Sequence, residues 1–354
     1  MAFPARIFSM FRKAVPTIGL AISLVCGSTT TLHAQDWSLT KIDGRDYVGV
    51  DSIKKFYDFQ TAEKSGNSVV LKSTDKAGKS IIKMQLQIGS QECLLNNVKF
   101  IFTHNVEPGG PLGLVSRMDL AKLIDPVLRP SFIPNAGNFT TVIIDAGHGG
   151  KDPGATNPLG TEANYNLALA TRLKPLLEKQ GFKVILTRTS DRYYSLQERV
   201  EIANAVKEDA IFLSLHFNSG GRDARGIETF TLSPPGVAHY GANEKPSDNF
   251  ARRGNQHDSA NIALATAVHG SILSIVQKAG ASTFDRGIKR ARFSVLSGVR
   301  HPAILFEGGF MSHAYEARLI ATENYQKALA LGIEYAVRKY RIAVTRQVVS
   351  KPTP

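Results

Sequence analysis

The chain has 354 residues and carries 43 lysines and arginines against 30 aspartates and glutamates, a formal net charge of +13. A charge of this size does not define a fold, but it favours polyanionic surroundings such as nucleic acid, cell wall or anionic lipid. Its length exceeds what one ordinary hydrophobic core holds, so two domains are expected.

The first 34 residues have the layout of a secretory signal peptide. Arg6, Arg12 and Lys13 precede an apolar run over residues 14–26, which is roughly half the ~20 residues that a spanning helix needs. The segment then ends in small and polar residues at Ala34, an acceptable cleavage site. We therefore expect residues 1–34 to be removed on export, with an uncleaved anchor as the alternative, and the protein to lie in the periplasm or cell envelope or to be secreted.

Export narrows the candidate partners of the mature chain. Without the three positive charges of the leader, its net charge is 13 − 3 = +10. Nucleic acid is excluded, because export removes that partner and no basic-aromatic binding motif is present. Cys93 is the only cysteine of the mature chain, so an internal disulfide is excluded. No segment after the leader is expected to span a membrane.

Residues 36–130 have the pattern of a small α+β domain. Short β-like runs occupy residues 68–72, 80–88 and 98–103, and helical patterns occupy residues 51–57 and 117–124. A segment rich in proline, glycine and asparagine over residues 131–140 is the expected linker.

This region resembles the stalk domain found at the N-terminus of copper amine oxidases and of many wall enzymes. The resemblance implies a spacer or wall-binding module without chemistry, and an unrelated small α+β domain is the alternative. The stretches that carry the resemblance are "DGRDYVGVDSIKKF", "GKSIIKMQLQIGSQECLLNN" and "GLVSRMDLAKLI".

From residue 141 the pattern changes to alternating strands and helices. This alternation predicts an α/β domain over residues 141–342, with a largely parallel central sheet flanked by helices. Thr161 is the expected N-cap of the first helix, and Ser195 with Glu198 has the spacing of a capping box. Residues 343–354 are expected to form a disordered tail. The predicted strands are 142–144, 182–187, 210–215, 226–232 and 303–306, and the predicted helices are 162–180, 195–206, 261–278 and 325–340.

Four side chains in this domain are candidates for chemistry. His148 and His216 each follow a buried strand, at the edge of the sheet where ligands collect in α/β folds. Glu162 stands in the first turn of the helix after the His148 loop, where the helix dipole favours a carboxylate. Two histidines and a glutamate with a fourth position open form a familiar catalytic zinc set. Glu307 follows the last apolar strand at the same edge, where a carboxylate can move a proton between water and a leaving group. Asp145 is either a partner that orients a histidine or a turn-former.

The same region resembles the zinc-dependent N-acetylmuramoyl-L-alanine amidases of the third amidase family, over residues 141–340. The resemblance implies a fold like that of zinc amidases and exopeptidases, one Zn²⁺ per catalytic domain on His148, Glu162 and His216, and Glu307 as the catalytic residue. It also implies the substrate, which is the peptidoglycan amide bond between the lactyl group of N-acetylmuramic acid and L-alanine. The matching stretches are "IIDAGHGGKDPGA", "GTEANYNLALATRLKPLLEKQGFKVILTRTSD", "SLQERVEIANA", "FLSLHFNS", "GIETF", "DRGIKRARFSVL" and "PAILFEGGFMS".

Alternatives remain at this stage. The chain could be a catalytically silent wall-binding protein, or a zinc peptidase that acts elsewhere on the stem peptide. The need for an activator protein is open, and a monomer is expected.

Residues 233–258 are interpreted as a loop flanking the cleft, with Glu244 as an inhibitory metal ligand in the alternative. Arg286, Lys289 and Arg290 are interpreted either as contacts to substrate carboxylates or as a solvated basic surface, and Phe293 as a core residue.

Overall fold

The structure, a computed structural model, describes residues 37–345 of the chain. The predicted signal peptide over residues 1–34 lies outside the described residues, as do residues 346–354 of the predicted tail. In chain order the strands are β1 (Leu39–Ile42), β2 (Arg45–Gly49), β3 (Thr61–Ser65), β4 (Ser68–Thr74), β5 (Ser80–Gln87), β6 (Glu92–Leu95), β7 (Val98–Ile101), β8 (Leu114–Ser116), β9 (Thr141–Ala146), β10 (Thr156–Asn157), β11 (Gly160–Thr161), β12 (Lys183–Leu186), β13 (Ala210–Asn218), β14 (Ile227–Leu232), β15 (Asp285–Ala291) and β16 (Ala303–Phe310).

Nine α-helical segments lie within residues 37–345, together with a π-helical turn (Leu120–Ile124) and three short 3-10 turns (Pro130–Phe132, Pro246–Asn249 and Arg253–His257). The α-helices are α1 (Val50–Phe56), α2 (Arg117–Asp119), α3 (Asp125–Leu128), α4 (Glu162–Lys179), α5 (Leu196–Ala205), α6 (Asp258–Lys278), α7 (Ser294–Gly298), α8 (Ala314–Ile320) and α9 (Glu323–Val344).

The C-terminal part of the chain forms the predicted α/β sheet. Strands β12, β9, β13 and β16 are neighbours and run parallel, β14 runs antiparallel to β16, and β15 runs parallel to β14. The side chains of β9 alternate between the two faces, with Val142 and Ile144 in one buried cluster and Ile143 in the other. Helices α4, α6 and α9 cover the first face, and α5 and α7 cover the second. The expected fold class is confirmed.

Helix signals in the sequence operate as predicted. The Thr161 hydroxyl accepts a hydrogen bond from the backbone N–H of Asn164 and caps α4. Ser195 and Glu198 form a complete capping box at the start of α5. Each device satisfies backbone N–H groups that a helix leaves without partners at its first turn, and the cap on α4 directly precedes Glu162, the first residue of that helix.

The N-terminal region is not a separate globule, in contrast to the expectation of two cores. Its strands β3 to β7 form an antiparallel meander that continues the large sheet to eleven strands, because β7 pairs with β15 through Phe100 and Ile288. Strands β1, β2 and β8 form a second, small sheet. One buried cluster extends from the N-terminal region into the α/β region. Pairing with β7 covers what would otherwise be an exposed sheet edge at β15.

The predicted linker is packed against the fold. Ile133, Ala136 and Phe139 in residues 131–140 are buried, and the Phe139 ring stacks on Phe182 at a centroid distance of 5.7 Å. At the other end, α9 continues through Val344, whose side chain is buried, so the tail begins later than the expected residue 343.

Cys93 is free, and its side chain is buried. The segment Arg253–Lys278 is long and apolar enough to cross a membrane by length and composition alone, which the sequence reasoning had not expected. However, 67% of its apolar window is buried inside the fold, as in a helix that packs in a core.

Candidate metal centre

His148 lies in a glycine-rich loop directly after β9. Its backbone has a φ of 60°, in the left-handed region that few residues other than glycine adopt. The preceding Gly147 is required for space, because a Cβ atom there would lie 2.2 Å from the ring of His216. The loop therefore brings the first histidine close to the second, with ring centroids 5.0 Å apart.

Glu162 lies between the two histidines. It is the first residue of α4 and is buried, and its Oε1 lies 2.8 Å from Nδ1 of His216. Its Oε2 lies 3.2 Å from Nε2 of His148. The nearest ligand atoms of the three residues all lie within 4.8 Å of one another, so this group could hold one metal ion. The structure thus brings together the three ligands that the sequence predicted.

The electrostatics of these residues favour an ionised carboxylate at the centre of the group. Burial would raise the pKa of Glu162, but hydrogen bonds from His148 and His216 outweigh it and hold the pKa well below its usual range. For His148, burial lowers the pKa, but the hydrogen bonds to Glu162 and Asp152 outweigh burial and raise it. The group therefore attracts positive charge, whether a proton or a metal ion.

Asp152 orients His148, a role that the sequence reasoning had considered for Asp145. Oδ2 of Asp152 lies 2.8 Å from Nδ1 of His148, which leaves Nε2 directed at Glu162. A carboxylate on the second ring nitrogen fixes the tautomer and the orientation of a ligating histidine. Asp152 binds His148 because it lies in the same loop. Asp145 lies in β9, and its carboxylate is already bound by other side chains.

We expect Asp152→Asn to lower zinc affinity by about 10- to 100-fold, because the amide cannot polarise the His148 ring as a carboxylate does. Competition with a fluorescent chelator measures this directly. Asp191→Asn is the matched control, since Asp191 binds the same loop only through the backbone N–H of Gly150. Equal affinities of the Asp152 variant and the wild type would contradict the role of Asp152.

Asp145 stabilises the loop that carries His148 through its ion pair with Arg199. Its carboxylate accepts hydrogen bonds from Thr187 at 2.7 Å, from Ser214 at 2.8 Å and from the Arg199 guanidinium at 2.7 Å. Arg199 also donates to the backbone carbonyls of Ala146 and His148, at 2.8 and 2.6 Å. The buried ion pair therefore fixes the backbone from which His148 projects.

Glu307 lies in the middle of β16, not at its end as predicted, because the strand continues to Phe310. It is paired in register with His216 of β13 on one side and with Glu228 of β14 on the other. Side chains that are paired across neighbouring strands point to the same face of the sheet. Glu307 is 9% exposed, and its Oε2 has no hydrogen-bond partner within residues 37–345. Burial, together with the charges of Glu162 and Glu228, raises its pKa well above the usual range.

Glu228 is a buried acidic residue that the sequence reasoning missed. Its carboxylate binds the ammonium group of Lys289, lies 3.3 Å from Nε of Arg286 and accepts a hydrogen bond from Asn218 at 2.6 Å. Unlike Glu307, it is fully partnered. The strand signal of β14 identified the segment, but only the register shows that Glu228 and Glu307 are neighbours.

The three basic residues after β14 have different environments, and the solvated-surface interpretation does not hold for all of them. Lys289 and Arg290 are buried, and Arg290 donates to Thr231 and to the backbone carbonyl of Lys122. Arg286 is partly exposed. Phe293 packs edge-on against Phe230 beside the core, as predicted.

Glu244 is paired with Arg45 of the N-terminal region. Its two carboxylate oxygens accept hydrogen bonds from the Arg45 guanidinium at 2.8 and 2.9 Å. The segment over residues 233–258 is anchored to the α/β region by Arg292, which donates to the carbonyls of Pro234, Val237 and Asp248. The inhibitory-ligand interpretation of Glu244 is not the arrangement that the structure adopts.

A mixed sheet with two histidines and a glutamate converging beside a buried glutamate fits a hydrolytic enzyme with a site that could hold a metal. The family model of the N-acetylmuramoyl-L-alanine amidases (Amidase_3) matches residues 142–339, more than half of the chain. The chain belongs to this family. The expected enzyme class is confirmed, and neither the silent wall-binding protein nor the peptidase is favoured.

Two curated proteins and one solved structure show what the chain is similar to. The chain is 32% identical to the uncharacterized protein YqiI of Bacillus subtilis (strain 168) over 200 residues, which is 56% of this chain and 84% of that protein. It is 33% identical over 193 residues to the sporulation-specific N-acetylmuramoyl-L-alanine amidase of the same organism, covering 54% of this chain and 64% of that one. A solved N-acetylmuramoyl-L-alanine amidase from Clostridium difficile 630 aligns with a TM-score of 0.47 and 34% identity, over 57% of this chain and 97% of its own.

Proposed function

We propose that the protein hydrolyses the amide bond between the lactyl group of N-acetylmuramic acid and L-alanine in peptidoglycan. The proposal assigns one zinc ion to His148, Glu162 and His216, and assigns proton transfer to Glu307. The observation that carries it is the buried, unpartnered Oε2 of Glu307 in register with His216. Burying a carboxylate oxygen without a hydrogen-bond partner costs stability, and groups held at such a cost cluster at functional sites.

The donor set fits zinc by its chemistry. Two imidazole nitrogens and one carboxylate oxygen are ligands that Zn²⁺ accepts, and three protein ligands leave a position for substrate or water. When bound, zinc would polarise the scissile carbonyl and lower the pKa of water to roughly 7. The Asp152 carboxylate on Nδ1 of His148 supports the same assignment, because such pairs accompany ligating histidines.

Glu307 carries the proton in the proposed reaction. Its carboxylate takes a proton from the attacking water as the C–O bond forms, and it returns that proton to the amide nitrogen as the C–N bond breaks. The products are the lactyl carboxylic acid of the sugar and a peptide with a free L-alanine amino group.

The site of action in this proposal is the periplasm or cell envelope. The layout of residues 1–34 supports export, and the positive net charge of the mature chain favours an anionic wall surface. A monomeric state stays a prediction, and the need for an activator protein stays open.

Product analysis by mass spectrometry tests the proposed function. Purified mature protein is incubated with peptidoglycan sacculi in three states: metal-loaded, chelator-treated, and chelator-treated with zinc restored. We expect free stem peptides with a new L-alanine amino terminus from the first and third samples only. His216→Ala is expected to bind less than a tenth of the wild-type zinc and to release no peptide. New termini elsewhere in the peptide, or intact glycopeptides from fully zinc-loaded protein, would contradict the proposal.

A further inference from the structure

A cleft of about 490 Å³ opens where the N-terminal part of the large sheet meets the α/β part. Four separate parts of the chain build its walls. Lys99 comes from β7, Tyr240 comes from the segment over residues 233–258, and Arg225 comes from the loop after β13. The fourth wall is β15 with the residue before it. From this wall Phe284, Arg286 and Lys289 line the cleft.

The cleft adjoins the residues that are paired in register across β13, β16 and β14, namely His216, Glu307 and Glu228. Lys289 and Arg286 both bind Glu228, the residue paired in register with Glu307. From His216 on β13 to β15 there are three strand spacings of about 4.8 Å, or roughly 14 Å. An extended peptide advances about 3.3–3.6 Å per residue. A peptide whose first residue lies at the metal centre extends roughly 10 Å by its fourth residue and roughly 14 Å by its fifth, so it reaches the cleft at about its fourth or fifth residue.

The cleft offers a cation that the protein itself does not neutralise. The Arg225 guanidinium stacks over the Phe284 ring at 4.3 Å, and within residues 37–345 it forms neither an ion pair nor a hydrogen bond. By contrast, Lys289 is neutralised by Glu228, and Lys99 by Glu92 at 2.7 Å. Aromatic stacking holds a guanidinium plane in place while its N–H groups stay free to bind a carboxylate. Asp223, which also lines the cleft, adds an exposed negative charge.

The chemistry of the substrate decides which part of it suits this cleft. The lactyl carboxyl of N-acetylmuramic acid is consumed in the scissile amide, so the sugar side presents no free carboxylate. The peptide side carries its C-terminal carboxylate and any acidic side chains. Carboxylates are the groups that a fixed guanidinium recognises best.

On this basis, and resting on the proposed function, we propose that the cleft binds the carboxylate-bearing part of the peptide, with Arg225 pairing with a carboxylate. The N-terminal region is then part of the substrate site, since β7 supplies one wall through Lys99. The aliphatic stem of Lys99 packs over Gly287 of β15. The φ of Gly287 is +89°, so any residue other than glycine would be strained at this position. The N-terminal region thus acts as more than a spacer.

Steady-state kinetics on two soluble substrates test this proposal. One is an N-acetylmuramoyl tetrapeptide with free carboxylates, and the other is the same compound with its carboxylates amidated. Arg225→Gln is expected to raise KM for the free acid by about tenfold with little change in kcat, as for loss of one hydrogen bond to a charged group. For the amidated compound, KM should change by less than about twofold. Arg222→Gln is the matched control, because Arg222 is exposed in the same loop and lies outside the cleft.

Lys99→Met tests the contribution of the N-terminal region and keeps the aliphatic stem over Gly287. It is expected to raise KM for the free acid by about threefold, whereas Lys64→Met on β3, the outermost strand, should leave KM unchanged. An Arg225 variant that affects both substrates equally, or neither, would overturn the proposal.

The cleft and the proposed function can fail separately. If the wild type cleaves neither substrate, the amidase proposal fails. Calorimetric titration of the free tetrapeptide, without the sugar, into wild type and Arg225→Gln still tests the cleft. Weaker binding to the variant supports the proposal, and equal or absent binding overturns it.

Discussion

Replacing Glu307 with glutamine is expected to lower kcat on the order of a thousandfold while zinc binding stays intact. The amide cannot accept a proton from water, and general acid–base catalysis contributes roughly 10²- to 10⁴-fold to such reactions. The side chain keeps its shape, so the metal ligands should not move. Turnover of a soluble muropeptide gives the rate, and metal analysis of the same sample gives the zinc content. A variant that retains more than a tenth of the wild-type rate would remove Glu307 from the reaction.

The same substitution is expected to stabilise the metal-free protein at neutral pH. Burial raises the pKa of Glu307 well above the ordinary value, which for glutamate is about 4.3. Between these two values the folded state retains a proton that the unfolded state has released, so the free energy of unfolding falls as pH rises. Glutamine has no such proton. The difference in stability between variant and wild type should therefore be absent near pH 4 and grow toward pH 8.

Thermal unfolding of the metal-free proteins at pH 4 and pH 8 measures this effect. Glu228→Gln provides the contrast, because it is the register neighbour of Glu307 but is paired with Lys289. Its removal leaves a buried ammonium group without its carboxylate, so it should lower the melting temperature at pH 8. Two identical substitutions on neighbouring strands are thus expected to have opposite signs. Equal destabilisation by both would show that Glu307 is partnered in solution.

The sequence predicted most of the α/β region because its strands are buried on both faces. The apolar runs at β9, β13 and β16 need no knowledge of the tertiary structure to be recognised, and their polar ends identified His148, His216 and Glu307. The two histidines meet because the carboxyl ends of β9 and β13 lie side by side, and Glu162, the third candidate ligand, joins them from the start of α4. The geometry of parallel sheets therefore converts positions that are distant in sequence into one site.

Strand β15, its pairing with β7 and the partner of His148 were not predicted, because each depends on contacts between residues that are distant in the sequence. Strand β15 was not predicted because its sequence, DRGIKRA, is charged, and Lys289 can be buried there only because Glu228 neutralises it. Without β15, the pairing with β7 could not be foreseen, and the N-terminal region was interpreted as a separate domain. Likewise, the sequence suggested Asp145 as a partner that orients a histidine and did not point to Asp152. The choice between them depends on Arg199, which lies 54 residues from Asp145 in the chain.

Replacing Arg199 with leucine is expected to destabilise the protein by about 3–5 kcal/mol at neutral pH, because it leaves the buried Asp145 carboxylate without its cation. Both partners are almost completely buried, with side-chain exposures of 3% and 1%. Burial would raise the pKa of Asp145, but the Arg199 charge and the Thr187 hydrogen bond hold it below its usual range. The stabilisation by this pair is therefore present above the ordinary aspartate pKa of about 3.9 and is lost as pH falls through the lower folded value. Denaturant unfolding across that pH range should show the gap between variant and wild type closing in acid.

A second variant separates the ion pair from the loop that it supports. Asp145→Asn combined with Arg199→Leu removes the unpaired charge, so it should recover part of the stability lost by Arg199→Leu alone. It should not recover zinc affinity, because the carbonyls of Ala146 and His148 still lack the Arg199 donors that hold the His148 backbone at its φ of 60°. Stability and metal binding would then respond to different atoms of the same side chain. If the double variant regained both together, the loop would be held by Arg188 alone, which already donates to Ala146 and Gly147, and Arg199 would act only through its charge.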